Sequence, residues 1–266
     1  MPDYRVLAFS DTHSPLTCPK KWAWLTQHIR DFQPDVIVHL GDWLEGKRGS
    51  RHARDERHNW HVLEEFRSLA KQANEINELA PDAYKVWIYG NHDANLLEYV
   101  PDHLTKEDSV AFRELFDTIA GDSLKGWHIL DTYRHETNWY LGQLCFRHGS
   151  DVSKAAVAKD IADYCPYNGL MVSGHTHRPE RITQHNAGGV LYPFYHANTG
   201  TLCKHDQMHY MDRQRKSSWG AGVLLAEVTA PGLKEGRKNY DKPRWKARIE
   251  VFGITSRNYH DVELTG

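Results

Sequence analysis

Residues 4–9, YRVLAF, are apolar on both alternations, the pattern of a strand buried on its two faces, and they end in Ser10-Asp11-Thr12-His13. Residues 19–32 read as a helix. Residues 35–40, DVIVHL, read as a second, β-branched strand that ends in Gly41-Asp42, and a glycine-rich basic loop, EGKRGSRHAR, follows. Over residues 55–80, Leu63, Phe66, Leu69, Ala73, Ile76 and Ala80 recur at steps of three or four, which predicts a long helix with one apolar stripe, stopped by Pro81. Residues 84–89, YKVWIY, read as a third strand ending in Gly90-Asn91-His92-Asp93. Each strand thus hands over to a glycine or serine and then to a side chain able to bind metal. That pattern predicts an α/β core with a site at the C-terminal ends of its strands.

The second half changes character. A helix is predicted over 109–120, shorter strands over 128–130 and 139–147, a helix over 152–164, and a strand over 170–172 that runs into Ser173-Gly174-His175-Thr176-His177. Strand-like pieces follow at 191–197, 223–228 and 245–252. No repeat, low-complexity tract or linker divides the chain, so residues 1–266 read as one domain.

Composition narrows the class. Of 266 residues, 40% are hydrophobic and 26% charged, the balance of an ordinary soluble globular protein, and the net charge of -2 excludes coating nucleic acid by bulk charge while leaving room for a local basic surface. Cys18, Cys145, Cys165 and Cys203 are scattered with no CxxC pair, as for reduced thiols in the cytoplasm. The N-terminus, MPDYRVLAFSD, has no basic segment leading into an apolar one and so reads as no export signal. No stretch approaches the roughly 20 apolar residues of a membrane span.

The candidate chemistry lies in Asp11, His13, Asp42, Asn91, His92, His148, His175 and His177, each following a predicted strand. A dinuclear hydrolase needs two cations about 3.5–4 Å apart, a carboxylate to bridge them, and imidazole and oxygen donors to complete each shell. In Asp11-Thr12-His13 and in His175-Thr176-His177 the donors are two residues apart, so on an extended segment both leave from one face. Taken singly, each fragment has a blander reading. A DxH after a strand is usually a capped turn, a GD a simple turn, a GNHD a loop with a left-handed asparagine, and His148 is one of eighteen histidines. Together, in this order and each at a strand end, they point to metal.

DxH, GD, GNHD, a single His before a helix, and GHxH form a signature, present here as Asp11-Thr12-His13, Gly41-Asp42, Gly90-Asn91-His92-Asp93, His148-Gly149 and Gly174-His175-Thr176-His177. On these motifs the chain resembles the calcineurin-like metallophosphoesterase superfamily over residues 4–203, with Asn198-Thr199-Gly200-Thr201 similar to the turn after the last ligands. The resemblance implies a four-layer α/β sandwich, two mixed β-sheets flanked by helices. It implies two divalent ions: one on Asp11, His13 and His177, the other on Asn91, His148 and His175, with Asp42 bridging. Mixed nitrogen and oxygen donors suit manganese, with iron, nickel or zinc as alternatives. Metal-activated hydroxide would attack the phosphate ester, and His92, outside the metal shell, would act as general acid. Glu45 stands where relatives place a residue assisting that histidine.

The substrate that the resemblance implies is a phosphate ester. GDWLEGKRG and GNHD depart from the GDxVDRG and GNHE of protein phosphatases, whereas Gly46-Lys47-Arg48-Gly49-Ser50 looks similar to the loop of DNA-repair exonucleases, with Glu45 in place of their histidine. Lys47, Arg48 and Arg51 beside the bridging aspartate suit a polyanion backbone, so a nuclease or phosphodiesterase acting on DNA or RNA is the expected function. A phosphatase or small-molecule phosphodiesterase is the alternative. A second basic segment, from Lys234 to Arg248 with Tyr240 and Trp245 interleaved, reads as a solvated loop. A homodimer is compatible with the sequence.

Overall fold

A computed structural model describes residues 1–46, 61–98, 105–150, 153–186, 191–208, 218–233, 236–253 and 262–263. In β1 (Asp3–Phe9), Val6 and Ala8 belong to one apolar cluster and Leu7 and Phe9 to another, and all four are fully buried. The same split recurs in β2 (Val36–His39) and β3 (Tyr84–Ile88): Val36, Val38, Val86 and Ile88 face one way, Ile37 and Trp87 the other. These strands read as unbroken apolar runs because both faces of their sheet are covered.

That sheet has seven strands. β1, β2, β3 and β4 (Trp127–Leu130) run parallel, and β10 (Gly222–Thr229), β11 (Trp245–Val251) and β12 (Val262–Glu263) extend it antiparallel beyond β1. The second sheet has five, in the order β5 (Trp139–Leu141), β6 (Leu144–Phe146), β7 (Leu170–Ser173), β9 (Phe194–Thr199) and β8 (Pro179–His185), with β6, β7 and β9 parallel. Val6, Val36 and Val86 share one cluster with Leu144, Phe146, Leu170 and Val172, so the sheets pack face to face. Outside the first sheet lie α1 (Pro19–Phe32), α2 (Val62–Leu79) and α4 (Lys106–Ala120), whose Leu25, Ile29, Phe66, Leu69, Ile76 and Phe116 close on Leu7, Phe9 and Trp87. Outside the second lies α5 (Lys154–Tyr164), with Ile161 on Cys145, Met171 and Phe194. Four layers result, as expected. No helix among the described residues is long and apolar enough to cross a membrane.

Several element boundaries differ from the sequence reading, three of them for a structural reason. The strand expected over 139–147 is two antiparallel strands turning at Gly142, whose φ of 57° a residue with a side chain adopts only at a cost. β8 escaped detection because PERITQH is mostly exposed at a sheet edge and carries no apolar alternation. The short α3 (Asn91–Leu97) opens on the GNHD motif itself. The described part of the long second helix begins at Val62, and its expected first residues, 55–60, lie outside the described residues.

α2 also supports the loops above the sheet. Gln72 is buried, and its Oε1 accepts from Trp43 Nε1 at 2.7 Å and Ser14 Oγ at 3.0 Å while its Nε2 donates to Thr17 Oγ1 at 2.8 Å. Trp43 in turn packs on Trp87 at 5.3 Å and Trp127 at 5.0 Å between ring centroids. One amide thereby joins the loops after β1 and β2. Gln72→Ala strands a buried indole N–H, and urea unfolding is expected to show a loss of about 1–3 kcal/mol.

Candidate metal centre

The C-terminal ends of parallel strands from both sheets meet. β1, β2 and β3 deliver Asp11 and His13, Asp42, and Asn91 and His92; β6 and β7 of the facing sheet deliver His148, His175 and His177. The chain does not leave these strands in extended form. Asp11, His13, Asp42, His175 and His177 all have positive φ, from 47° to 68°, and among the described residues only Gln33 and Asn168 share that conformation without being glycine. Left-handed backbone at residues with a Cβ is strained and concentrates at functional positions. The two-residue spacing of DxH and HTH therefore works through paired left-handed turns and not through one face of a strand. Hydrogen bonds from Asp11 N to Gly41 O (2.9 Å) and from His13 N to Asp42 O (3.0 Å) hold the first turn.

Among the described residues the donor atoms converge in three groups, two of which share Asp42 while the third joins His13, Glu45 and His92. Oxygen or nitrogen atoms of Asp11, His13, Asp42 and His177 lie within 4.8 Å of one another, and so do those of Asp42, His148 and His175. Asp42 belongs to both. In the first group His13 Nε2 is 3.0 Å from His177 Nε2, and His177 Nε2 is 3.0 Å from Asp11 Oδ1. In the second, His148 Nε2 is 3.2 Å from Asp42 Oδ2, from Asn91 Oδ1 and from His175 Nδ1. Donors around one cation at bonds of about 2.0–2.2 Å stand roughly 3.0–3.6 Å apart, so this spacing fits ligation. Asp11 Oδ1 is buried without a hydrogen-bond partner, as expected of an atom aimed at a cation.

Three of the donors, Asp11, Asp42 and His148, are anchored by their other ends. Asp11 Oδ2 accepts from His175 N at 3.0 Å and Asp42 Oδ1 from His92 N at 2.9 Å, which leaves Oδ1 and Oδ2, respectively, for the cluster. His148 Nδ1 donates to Leu40 O at 2.8 Å, so Nε2 is the nitrogen left facing the cluster. Burial disfavours charge on His148, but the Asp42 carboxylate more than offsets this and holds the imidazole at about 9. Burial likewise opposes the charged form of Asp11, yet His177 and His13 hold its carboxyl well below the usual range. The pocket attracts positive charge.

Residues that the motifs left without a role complete the support. Asp93 accepts from Gly90 N at 2.9 Å and Leu44 N at 2.8 Å, tying the GNHD turn to the GD turn. Its three-residue offset from Gly90 is capping-box spacing, a signal present in the sequence. His39, stacked on Trp43 at 4.5 Å, is pushed down to about 3 by burial and contacts Thr12 Oγ1 at 3.1 Å. Asn198 donates to Gly174 O at 2.6 Å, and Thr201 Oγ1 donates to Asp11 O at 2.7 Å, so the NTGT turn braces both ligand loops. Trp219 sets its edge against His177 at 4.2 Å between centroids.

His92 Nδ1 donates to the main-chain carbonyl of Glu45. The Glu45 carboxylate is buried with its Oε2 2.9 Å from His13 Nδ1, in a group of donor atoms that also takes in His92. Lys47, Arg48 and Arg51 lie outside the described residues. The second basic segment is engaged within the fold: Arg237 donates to Asp163 O and Cys165 O, Arg244 lies over Tyr240, and Lys246 and Arg248 pair with Glu227 and Glu250.

Oxygen and nitrogen donors gathered around a shared buried carboxylate, at the strand ends of a four-layer sandwich, define a metal-dependent phosphoesterase with a divalent metal site. A model of the calcineurin-like phosphoesterase family matches residues 4–179, and the chain belongs to that family. It is 25% identical over 252 residues to the Gene 54 protein of Mycobacterium phage L5, covering 86% of this chain and 91% of the relative, and 24% identical over 244 residues to the Gene 54 protein of phage D29. Among solved structures it is similar to a Vps29 single mutant from Entamoeba histolytica (TM-score 0.45, 12% identity, 97% of this chain and 98% of that one). It is also similar to Yfce, a phosphoesterase from E. coli (TM-score 0.41, 16% identity, 86% and 95%).

A Cβ on Gly90 would stand 2.2 Å from Asp42 Oδ1 and 2.5 Å from Asp42 N. Gly90→Ala must therefore displace the shared carboxylate. Elemental analysis and metal titration are expected to show affinity lowered by about 10–100-fold, the usual cost of disturbing a ligand's support.

Proposed function

We propose that the chain hydrolyses phosphodiesters of nucleic acid at a two-ion centre, with Asp11, His13 and His177 holding one cation, Asn91, His148 and His175 the other, and Asp42 shared. The observation that carries this reading is the pair of donor groups with Asp42 common to both. Divalent cations held there, manganese by preference, supply Lewis acidity towards phosphoryl oxygens and lower the pKa of a water towards neutrality.

The chain's own residues do the remaining work. Asp42 is held by the His92 main chain, so its position and that of the His92 ring are set together. With Nδ1–H committed to the Glu45 carbonyl, proton delivery to a leaving oxygen falls to Nε2. The His92 ring packs edge-on against His13 at 4.8 Å, beside the first donor group. Lys47, Arg48 and Arg51 follow Glu45 in sequence within a few residues, and their charge suits the phosphates flanking a scissile one.

His92→Ala is expected to keep its metal content and to lose about 10²–10⁴-fold in turnover on esters with poor leaving groups. The loss should be smaller on nitrophenyl esters, whose leaving group needs no proton. Equal losses on both would assign His92 to phosphate binding instead. For substrate class, Arg48→Ala combined with Arg51→Ala should weaken cleavage of DNA or RNA, flatten its salt dependence and spare a nitrophenyl phosphodiester. Wild-type protein that cleaves small esters and no polynucleotide would leave a phosphatase or small-molecule phosphodiesterase.

A further inference from the structure

We propose that Glu45 is a positioning residue for His13, holding that imidazole in the tautomer that offers its Nε2 lone pair to a cation. The inference rests on the reading of His13 as a metal ligand. Its two ring nitrogens face different partners. Nε2 stands 3.0 Å from His177 Nε2, 3.8 Å from Asp11 Oδ1 and 3.9 Å from Asp42 Oδ2, all donors of one group. Nδ1 stands 2.9 Å from Glu45 Oε2. Glu45 groups with His13 and His92, and not with Asp11, Asp42 and His177. The carboxylate is therefore on the far edge of the ring from the ion and acts through the imidazole.

A carboxylate on Nδ1 does two things for a metal-bound imidazole. It fixes the proton on Nδ1, so Nε2 stays an acceptor, and it raises the basicity of that nitrogen. It also places a third negative charge near one donor group only. The Asp11 group has Asp11, the shared Asp42 and, behind His13, Glu45; the other has the shared Asp42 with neutral Asn91 and two imidazoles. The two positions differ in charge, and Glu45 widens the difference. Glu45 is 1% exposed, so its charge is little screened at the His13 ring. The backbone fits the same role: Glu45 N donates to Ser14 O at 3.1 Å, which pins the residue beside the His13 turn.

The test is calorimetric titration of metal-free protein with manganese, for wild type, Glu45→Ala and Glu45→Gln, none of which alters the carbonyl that serves His92. For Glu45→Ala the expected result is one binding event weakened by about 10–100-fold and the other unchanged within about threefold. Glu45→Gln should recover much of the loss, since its amide oxygen still accepts from Nδ1–H. In zinc-loaded wild type, ¹⁵N NMR of labelled histidines should show His13 protonated at Nδ1. Unchanged titration in Glu45→Ala, or equal weakening of both events, overturns the proposal. If Glu45→Ala fails to fold, the tautomer decides: an unprotonated His13 Nδ1 in the wild type overturns it. A wild type with a single binding event refutes the two-ion reading, while the effect of Glu45→Ala on that event still decides this one.

Discussion

The centre depends on carboxylates that are held at one oxygen and presented at the other. Asp11 and Asp42 are each fixed by a main-chain N–H from a different loop, His175 and His92 respectively. A buried carboxylate with both oxygens satisfied would be inert, and one with neither satisfied would be too costly to bury. The half-anchored state requires loops from both sheets to arrive together, and most other features of the site serve that arrival. The left-handed turns at the donors, the bare Gly90 against Asp42, and the bridge that Asp93 makes between the GNHD and GD turns are all conditions for it.

Backbone strain at these positions is supportable because the layers beneath are over-determined. Leu7, Phe9 and Trp87 are locked against three helices on one side, and Val6, Val38 and Ile88 against the second sheet on the other. Gln72 carries that rigidity upward to the loops through Trp43 and Ser14. Rigid elements holding strained loops are the arrangement in which ligands keep their geometry before a cation arrives.

Much of this was legible in the chain. The doubly buried strands announced themselves as apolar runs, and the polar residues that end them mark where the parallel sheet breaks its pattern. The donor motifs come together in space, and the four layers follow from the family resemblance. What the sequence concealed was set by long-range contact. Nothing local says that the Glu45 carboxylate turns towards His13. Nothing local reveals that Gln72, one polar residue on an amphipathic helix, reaches Trp43. The edge strand β8 lacks alternation because residues on both of its faces are exposed, and the backbone of DxH reads as extended until its hydrogen bonds to the GD loop bend it.

The brace between Asp11 and the NTGT turn joins positions far apart in the chain: Thr201 Oγ1 to Asp11 O spans 190 residues and Ser10 Oγ to Thr199 Oγ1 spans 189. Contacts of such separation require a large loop to close before they return any free energy, and chains rich in them fold slowly. During synthesis the first three donor loops leave the ribosome long before their partners from the second sheet exist. Only closure of the late strands brings His148, His175 and His177 to Asp11, His13 and Asp42, so the donor set is complete only when the fold is.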